Sequence, residues 1–419
     1  MNKEVRERLI NVTLRVFTMG SKFILIFALA RLLTPSDVGL YGLITATVSF
    51  SILLIGADYY TYSQRELLAR PLQQWSFVIQ HQIKALFILY IVFIPIHFLI
   101  FIMGFIDWKY AVWFFLLLVV EHISQEIYRL LVAMHKQLIA SWVFFIRFGS
   151  WVFLLLPLMY FNVQYQNLET LFSVWMMGSL LSIIVGSVAI KKILPGWDRV
   201  KTDYAWLKKG FKVGGLFLVS TLCFKALLTF DRYSVEALGS IEMLGVYVFY
   251  IGIVMSAFSL LEPAVFSFLY PRMLQAYQAK DTTKYQKLLK ELVVSTVGVS
   301  VVLALVIWYA TPLIILWIDK PIYSYFLSAF IYIIFAGFLY AIGHIPHYAL
   351  YAMKEDKWIV SAHITAVAIF FTALTLLQYK SGIKVVALAL LFSFGWVALV
   401  KTVGYIITKK KLSLIMENN

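Results

Sequence analysis

The sequence predicts an all-α polytopic membrane protein: twelve transmembrane helices in two six-helix lobes related by a pseudo-two-fold along the membrane normal. Three observations carry that expectation. Of 419 residues, 62% are hydrophobic and only 14% charged, whereas a soluble domain sits near half apolar and a quarter charged. The apolar residues fall in long runs without the strict alternation of a barrel strand, so helices satisfy the backbone in lipid. The basic residues collect in alternate short loops, as topology signals do.

Taken in order, apolar runs of about 20–28 residues, each long enough to span with some tilt, cover approximately 9–33, 37–62, 77–104, 111–134, 138–161 and 168–190 in the first half. In the second half they cover 211–233, 243–270, 292–317, 323–352, 358–378 and 384–408. The first follows Lys3, Arg6 and Arg8 as a signal peptide would. Arg15 and Lys22 interrupt it and no small-residue cleavage site follows, so it reads as a retained helix. Loops on one side hold Arg65, Arg70, Lys136, the seven basic residues between Lys191 and Lys212, the five between Arg272 and Lys290, Lys354, Lys357 and Lys409–Lys411. The other side holds Lys109, Arg232, Lys320, Lys380 and Lys384, with Arg31 at an edge. The richer side is cytoplasmic, which places both termini inside the plasma (inner) membrane. The expected organisation is an N-lobe over 1–190, a basic cytoplasmic linker over 191–210 and a C-lobe over 211–419.

Two cytoplasmic stretches read as interfacial. In KKILPGWDRVKTDYAWLKKGFK, Trp197, Tyr204 and Trp206 stand among lysines, as on inner headgroups. YPRMLQAYQAKDTTKYQKLLKEL reads as a basic amphipathic helix.

A shift of 206 residues lays Leu32–Tyr41 on Leu238–Tyr247, so that Leu, Thr/Ser, Gly and Tyr coincide. The offset is nearly half the chain, as duplication of a six-helix unit requires, and six spans per half make the repeat parallel. Gly39 and Gly245 then suit a close approach of helices at the corner.

Several marks along the chain resemble a known family. They are the leucine pair, short polar corner and Gly-x-Tyr-Gly at 32–42; FDRYSVEALGSIEMLGVYVFY at 230–250; EPAVFSFLYPRMLQAYQAKD at 262–281; and SGIKVVALALLFSFGW at 381–396. Together they are similar to the O-antigen and capsule repeat-unit flippases (Wzx-like) of the multidrug/oligosaccharidyl-lipid/polysaccharide exporter superfamily. The resemblance implies alternating access and a polyprenyl-pyrophosphate-linked glycan as substrate, with membrane lipids around it. It also implies a polysaccharide polymerase and a chain-length regulator as partners.

Charged residues inside spans are costly and face protein or water. Lys22 and Lys225 each lie about 13 residues from the cytoplasmic side, near the midplane at 1.5 Å per residue. With Arg129 and Arg147 they form the candidate substrate-binding set, because ammonium and guanidinium groups are natural partners of phosphate. Arg15, Lys84 and Lys401 lie near helix ends, where snorkelling is expected. Glu126 and Arg129 are spaced to pair along one helix. Asp58, Glu126, Asp231, Glu262 and the span histidines are the candidates for ion coupling.

The same residues argue against other classes. One cysteine, Cys223, leaves no internal disulfide. No Walker, Gly-x-Ser-x-Gly or Glu-x-x-His pattern occurs, so neither cofactor nor metal is expected, and the net charge of +15 follows loop topology rather than nucleic-acid binding. Two rivals stay open: a multidrug exporter of the same superfamily, whose cationic cargo a basic cavity repels, and a membrane-embedded polysaccharide polymerase or glycosyltransferase. Short periplasmic loops weigh against the latter.

Overall fold

The computed structural model describes residues 3–197, 200–378 and 382–417; Arg199, Lys380 and Ser381, used above, lie outside them. About 90% of the chain is helical, with no strand among the described residues. Eleven segments there are long and apolar enough to cross a membrane, and twelve when a helix bent between Gly215 and Leu218 is counted.

The chain forms two compact units. The first comprises 1–33 and 43–222, the second 34–42 and 223–419. The helices of the first half are α1 (Lys3–Leu32), α2 (Pro35–Gly56), α3 (Tyr59–Leu68), α4 (Trp75–Ile102), α5 (Ala111–Ala133), α6 (Gln137–Phe145), α7 (Trp151–Phe161) and α8 (Leu168–Ile193). A π-turn, Ile146–Ser150, joins α6 to α7. Helix α9 (Tyr204–Leu238) runs from the first unit into the second. Then follow α10 (Ile241–Phe258), a π-turn Glu262–Phe266, α11 (Ser267–Gln278), α12 (Thr282–Ile318) and α13 (Pro321–Tyr325). The last are α14 (Leu327–Ile342), α15 (His344–Ala352), α16 (Asp356–Leu377) and α17 (Gly382–Glu417).

Local chemistry sets the helix ends. Pro35 opens α2 and Thr34 accepts from the Asp37 amide at 3.1 Å while donating to its carboxylate at 2.6 Å, a reciprocal cap. Ser240 and Asp281 cap α10 and α12 by accepting from the Met243 and Lys284 amides. Lys191 and Lys192 end α8 against the negative pole of its dipole.

The corner at Pro35 packs within the second unit, on the start of α10. A Cβ on Gly39 would strike the Ile241 carbonyl, and one on Gly245 would strike the Pro35 carbonyl. Ser36 donates to Glu242 at 2.8 Å across a separation of 206 residues. Residues that matched under the 206-residue shift therefore touch one another reciprocally, the self-complementary pattern of a local two-fold.

A second repeat escaped the sequence reading. Ala133-Met134-His135 ends α5 and Ala352-Met353-Lys354 ends α15, with φ of 58° at His135 and 59° at Lys354. The next amide, Lys136 or Glu355, returns to a carbonyl five residues back at 3.0 Å in both. Both helices stop in the same left-handed cap.

Two expectations are corrected. The stretch after span eight is no separate interfacial helix: α11 ends, Lys280 turns the chain at φ 57°, and α12 starts at Thr282 and continues through the span. Trp206 does not lie on headgroups. It is buried in the first unit, with its ring 4.8 Å from Tyr62 and 5.3 Å from His81, and its indole donates to Glu66. Trp197 and Tyr204 are exposed.

Candidate functional site

In the first unit the polar interior is built on α5, whose sequence EHISQEIYR puts Glu121, Gln125 and Arg129 on one face at i, i+4 and i+8. His122 and Glu126 sit beside them, again four apart. Glu121 is 2% exposed and Arg147 4%. Arg147 lies on the π-turn, a break frequent at functional sites; its Nε donates to Glu121 at 2.8 Å and its Nη2 stands in ionic contact with the same oxygen at 2.7 Å. The Trp175 indole at 2.8 Å and the Ser179 hydroxyl donate to the other carboxylate oxygen. Both carboxylate oxygens are thus hydrogen-bonded and the charge is paired, as a buried charge must be.

One turn on, Glu126 accepts from Gln82 and from Arg129, both at 2.7 Å. His122 lies 3.9 Å from it and shares a 2.8 Å hydrogen bond with Tyr90. The Arg129 guanidinium lies 3.7 Å over the Tyr60 ring. An apolar groove of about 950 Å³ runs along α4, α5 and α8, with Gln82, Tyr90 and Glu126 as its polar wall and Lys191 and Trp197 at its end.

Lys22 completes this set from α1. Its ammonium is 4.7 Å from the Phe148 ring, whose face also takes Arg147 at 4.4 Å. Its side chain is exposed although protein atoms crowd it, as on the wall of a recess. Three cations, Lys22, Arg129 and Arg147, stand near three carboxylates, Glu121, Glu126 and Asp58, and among the described residues Lys22 makes no ion pair. Asp58 is buried at the left-handed break between α2 and α3, beside Thr221 and within electrostatic reach of Arg129 and Glu126.

The remaining candidates lie in the second unit. Lys225 is half-buried on α9. Asp231 is fully buried and accepts from Arg232 at 2.9 Å and from the Tyr247 hydroxyl at 2.7 Å. Glu262 is exposed at the first residue of its π-turn and accepts from Tyr348 at 3.0 Å. Two expected snorkelling residues do otherwise. Lys84 donates to the Val200 carbonyl and the Thr202 hydroxyl, at 3.1 and 2.9 Å. Lys401 is 4% exposed and turned inward, 5.8 Å from the Phe224 ring.

Sequence reasoning paired Glu126 with Arg129 and missed that Glu121 holds Arg147. The i, i+4, i+8 spacing of Glu121, Gln125 and Arg129 was the available signal. Among the described residues no group of three or more His, Cys, Asp or Glu side chains is placed to hold a metal ion.

This bundle, with charges buried inside its spans, has the fold of the MOP-superfamily transporters. An inward-facing multidrug resistance MATE family transporter of that superfamily superposes with a TM-score of 0.74 over 95% of both chains at 14% identity. A MATE protein in complex with MaD3S gives 0.64 over 98% of this chain and 97% of that one, also at 14%. A MOP-superfamily transporter from Pyrococcus furiosus, described by the reverse polarity of its binding pocket, gives 0.61 over 97% and 94% at 12%. The model of the family described as Polysaccharide biosynthesis protein matches residues 5–277, and the chain belongs to that family. No curated protein matches the chain.

Proposed function

We propose that this protein is a flippase that carries polyprenyl-pyrophosphate-linked oligosaccharide repeat units across the inner membrane, for O-antigen or capsule synthesis. The observation that supports the reading is an ammonium inside the first unit outside any ion pair: Lys22 stands beside Arg147 and Phe148 and, among the described residues, makes no salt bridge. Membership of the polysaccharide family supports the cargo. Such a charge suits a pyrophosphate and repels cationic drugs.

In this reading Lys22 and Arg129 meet the phosphates, while Arg147, already held by Glu121, fixes the ring that Lys22 rests on. Lys225 supplies the corresponding cation from α9. The sugar headgroup crosses by alternating access while the polyprenyl tail stays in lipid. Asp58, Glu126, Asp231 and Glu262 are the residues through which an ion gradient would act. Asp231, saturated by Arg232 and Tyr247, is the least free of them to exchange a proton.

The test is transport in proteoliposomes, comparing a fluorescent polyprenyl-pyrophosphate oligosaccharide with a cationic dye. Glycolipid movement without dye movement, falling roughly tenfold or more in Lys22→Met, is the expected result, since a charge-assisted hydrogen bond is worth about 1.5–3 kcal/mol. Dye movement without glycolipid movement would make the protein a drug exporter.

A further inference from the structure

The second unit holds a cluster of basic side chains that the flippase reading does not use. Helix α15 contributes His344 and His347, α16 His363 and α17 Lys401. The His347 ring lies 6.1 Å from His344 and 6.4 Å from His363, nearly parallel to the latter. His363 rests 4.6 Å from Phe224, the ring that Lys401 also approaches. Lys401 is near enough to act electrostatically on both His344 and His347. Four basic groups from three helices therefore face one another.

Among the described residues no carboxylate pairs with Lys401. Among the described residues Lys401 makes no hydrogen bond and no ion pair, although it is 4% exposed. His344 uses Nδ1 to donate to the Tyr340 carbonyl at 2.9 Å, which leaves Nε2 available as a second donor. Glu262 is one layer away, engaged by Tyr348, whose ring is 6.1 Å from His344. An ammonium buried inside a membrane span has a large desolvation penalty unless a partner offsets it. Among the described residues no such partner for Lys401 is present.

There is access for one. His344 and His347 are half-buried rather than sealed. The helices are also broken beside them: α14 stops at Gly343 and the π-turn Glu262–Phe266 stacks Phe266 on His344 at 5.4 Å. Breaks of this kind in spans are tolerated where they are buried in protein or line a cavity.

We propose that His344, His347, His363 and Lys401 form an anion-binding site within the second unit whose ligand is a phosphate-bearing group. Lys401 supplies an ammonium once an anion is there to pair with it, and imidazole N–H groups supply directed donors to the several oxygens of a phosphate. Binding draws protons onto the imidazoles, because each added negative charge favours their charged form. The site stands whether or not the cargo is a glycolipid.

The test uses the full protein, labelled with ¹⁵N-histidine and held in nanodiscs of zwitterionic lipid, titrated with inorganic pyrophosphate. Resonances of His344, His347 and His363, assigned with single His→Gln variants, should move toward imidazolium as pyrophosphate is added. The movement should need at least tenfold more pyrophosphate in Lys401→Met. His363→Gln, which keeps Lys401, should weaken it less and serves if Lys401→Met does not fold. The same shifts produced by phosphatidylglycerol nanodiscs without pyrophosphate would assign the ligand to a lipid headgroup; shifts with free pyrophosphate only would assign it to a soluble or cargo phosphate. Shifts with glucuronate but not pyrophosphate would overturn the phosphate class. Shifts with pH alone, indifferent to any anion, would overturn the anion site. Pyrophosphate shifts unchanged in Lys401→Met would remove that lysine from it.

Discussion

Arg147→Met tests whether the interior of the first unit is held by charge. In the native protein the Glu121 carboxylate receives three donors, one of them Arg147 Nε at 2.8 Å, and Arg147 Nη2 stands in ionic contact at 2.7 Å. The substitution leaves an anion with only the Trp175 and Ser179 donors, both neutral. Breaking a buried pair from one side costs about 3–5 kcal/mol, because the surviving charge stays desolvated. For a cooperative unit of some 200 residues this is a fall in melting temperature on the order of 10 °C. The double variant Glu121→Gln/Arg147→Met removes the orphan charge while the amide oxygen still accepts from Trp175. It should recover most of the loss, giving a coupling of roughly 2–4 kcal/mol in the double-mutant cycle. Thermal unfolding in detergent, followed by helical circular dichroism, reads all four proteins. A single variant that melts within a degree or two of wild type, or a double variant no more stable than the single, would refute the argument. Arg147 would then be free to serve a ligand directly.

Gly245→Ala places a methyl against the Pro35 carbonyl, which as backbone cannot rotate away, and should destabilise by about 1–3 kcal/mol. Gly298→Ala on α12 meets nothing within 4 Å and should gain up to about 1 kcal/mol of helix propensity; equal melting temperatures for the two would sink the close-crossing account. His135→Gly and Lys354→Gly relieve left-handed backbone at φ 58° and 59°. Each should be neutral or stabilising by up to about 1 kcal/mol, and a clear loss in either would show its side chain to be needed. Lys84→Met removes two of the bonds that fasten 200–203 to α4, the others being those of the Val200 amide to Gln80 and the Asp203 amide to His81; amide exchange there should rise while the spans stay protected, and unchanged exchange would mean that His81 and Gln80 suffice.

The spans were legible because their signal is one-dimensional. Twenty apolar residues in a row announce a helix whatever they pack against, and the alternation of basic loops needs no contacts either. The corner at Pro35 was legible for a related reason: Gly39 and Gly245 are places where a side chain is missing, and two helices that touch need such places. Charge partners are another matter. Glu121 and Arg147 are 26 residues apart, on helices whose relative rotation depends on a π-turn at 146–150 that leaves no mark in composition. Lys401 failed in the same way. Counting from the helix end put it within snorkelling range, yet α17 continues to Glu417 and the lysine faces Phe224 and the histidines. Depth along a span can be read from sequence, but azimuth around it cannot, except where i, i+4 spacing ties two polar groups together as in Glu121, Gln125 and Arg129. The residues whose reading changed most between sequence and structure are therefore the isolated ones, Arg147, Lys84 and Lys401, and an isolated charge in a span is the kind whose role rests on what another helix brings to it.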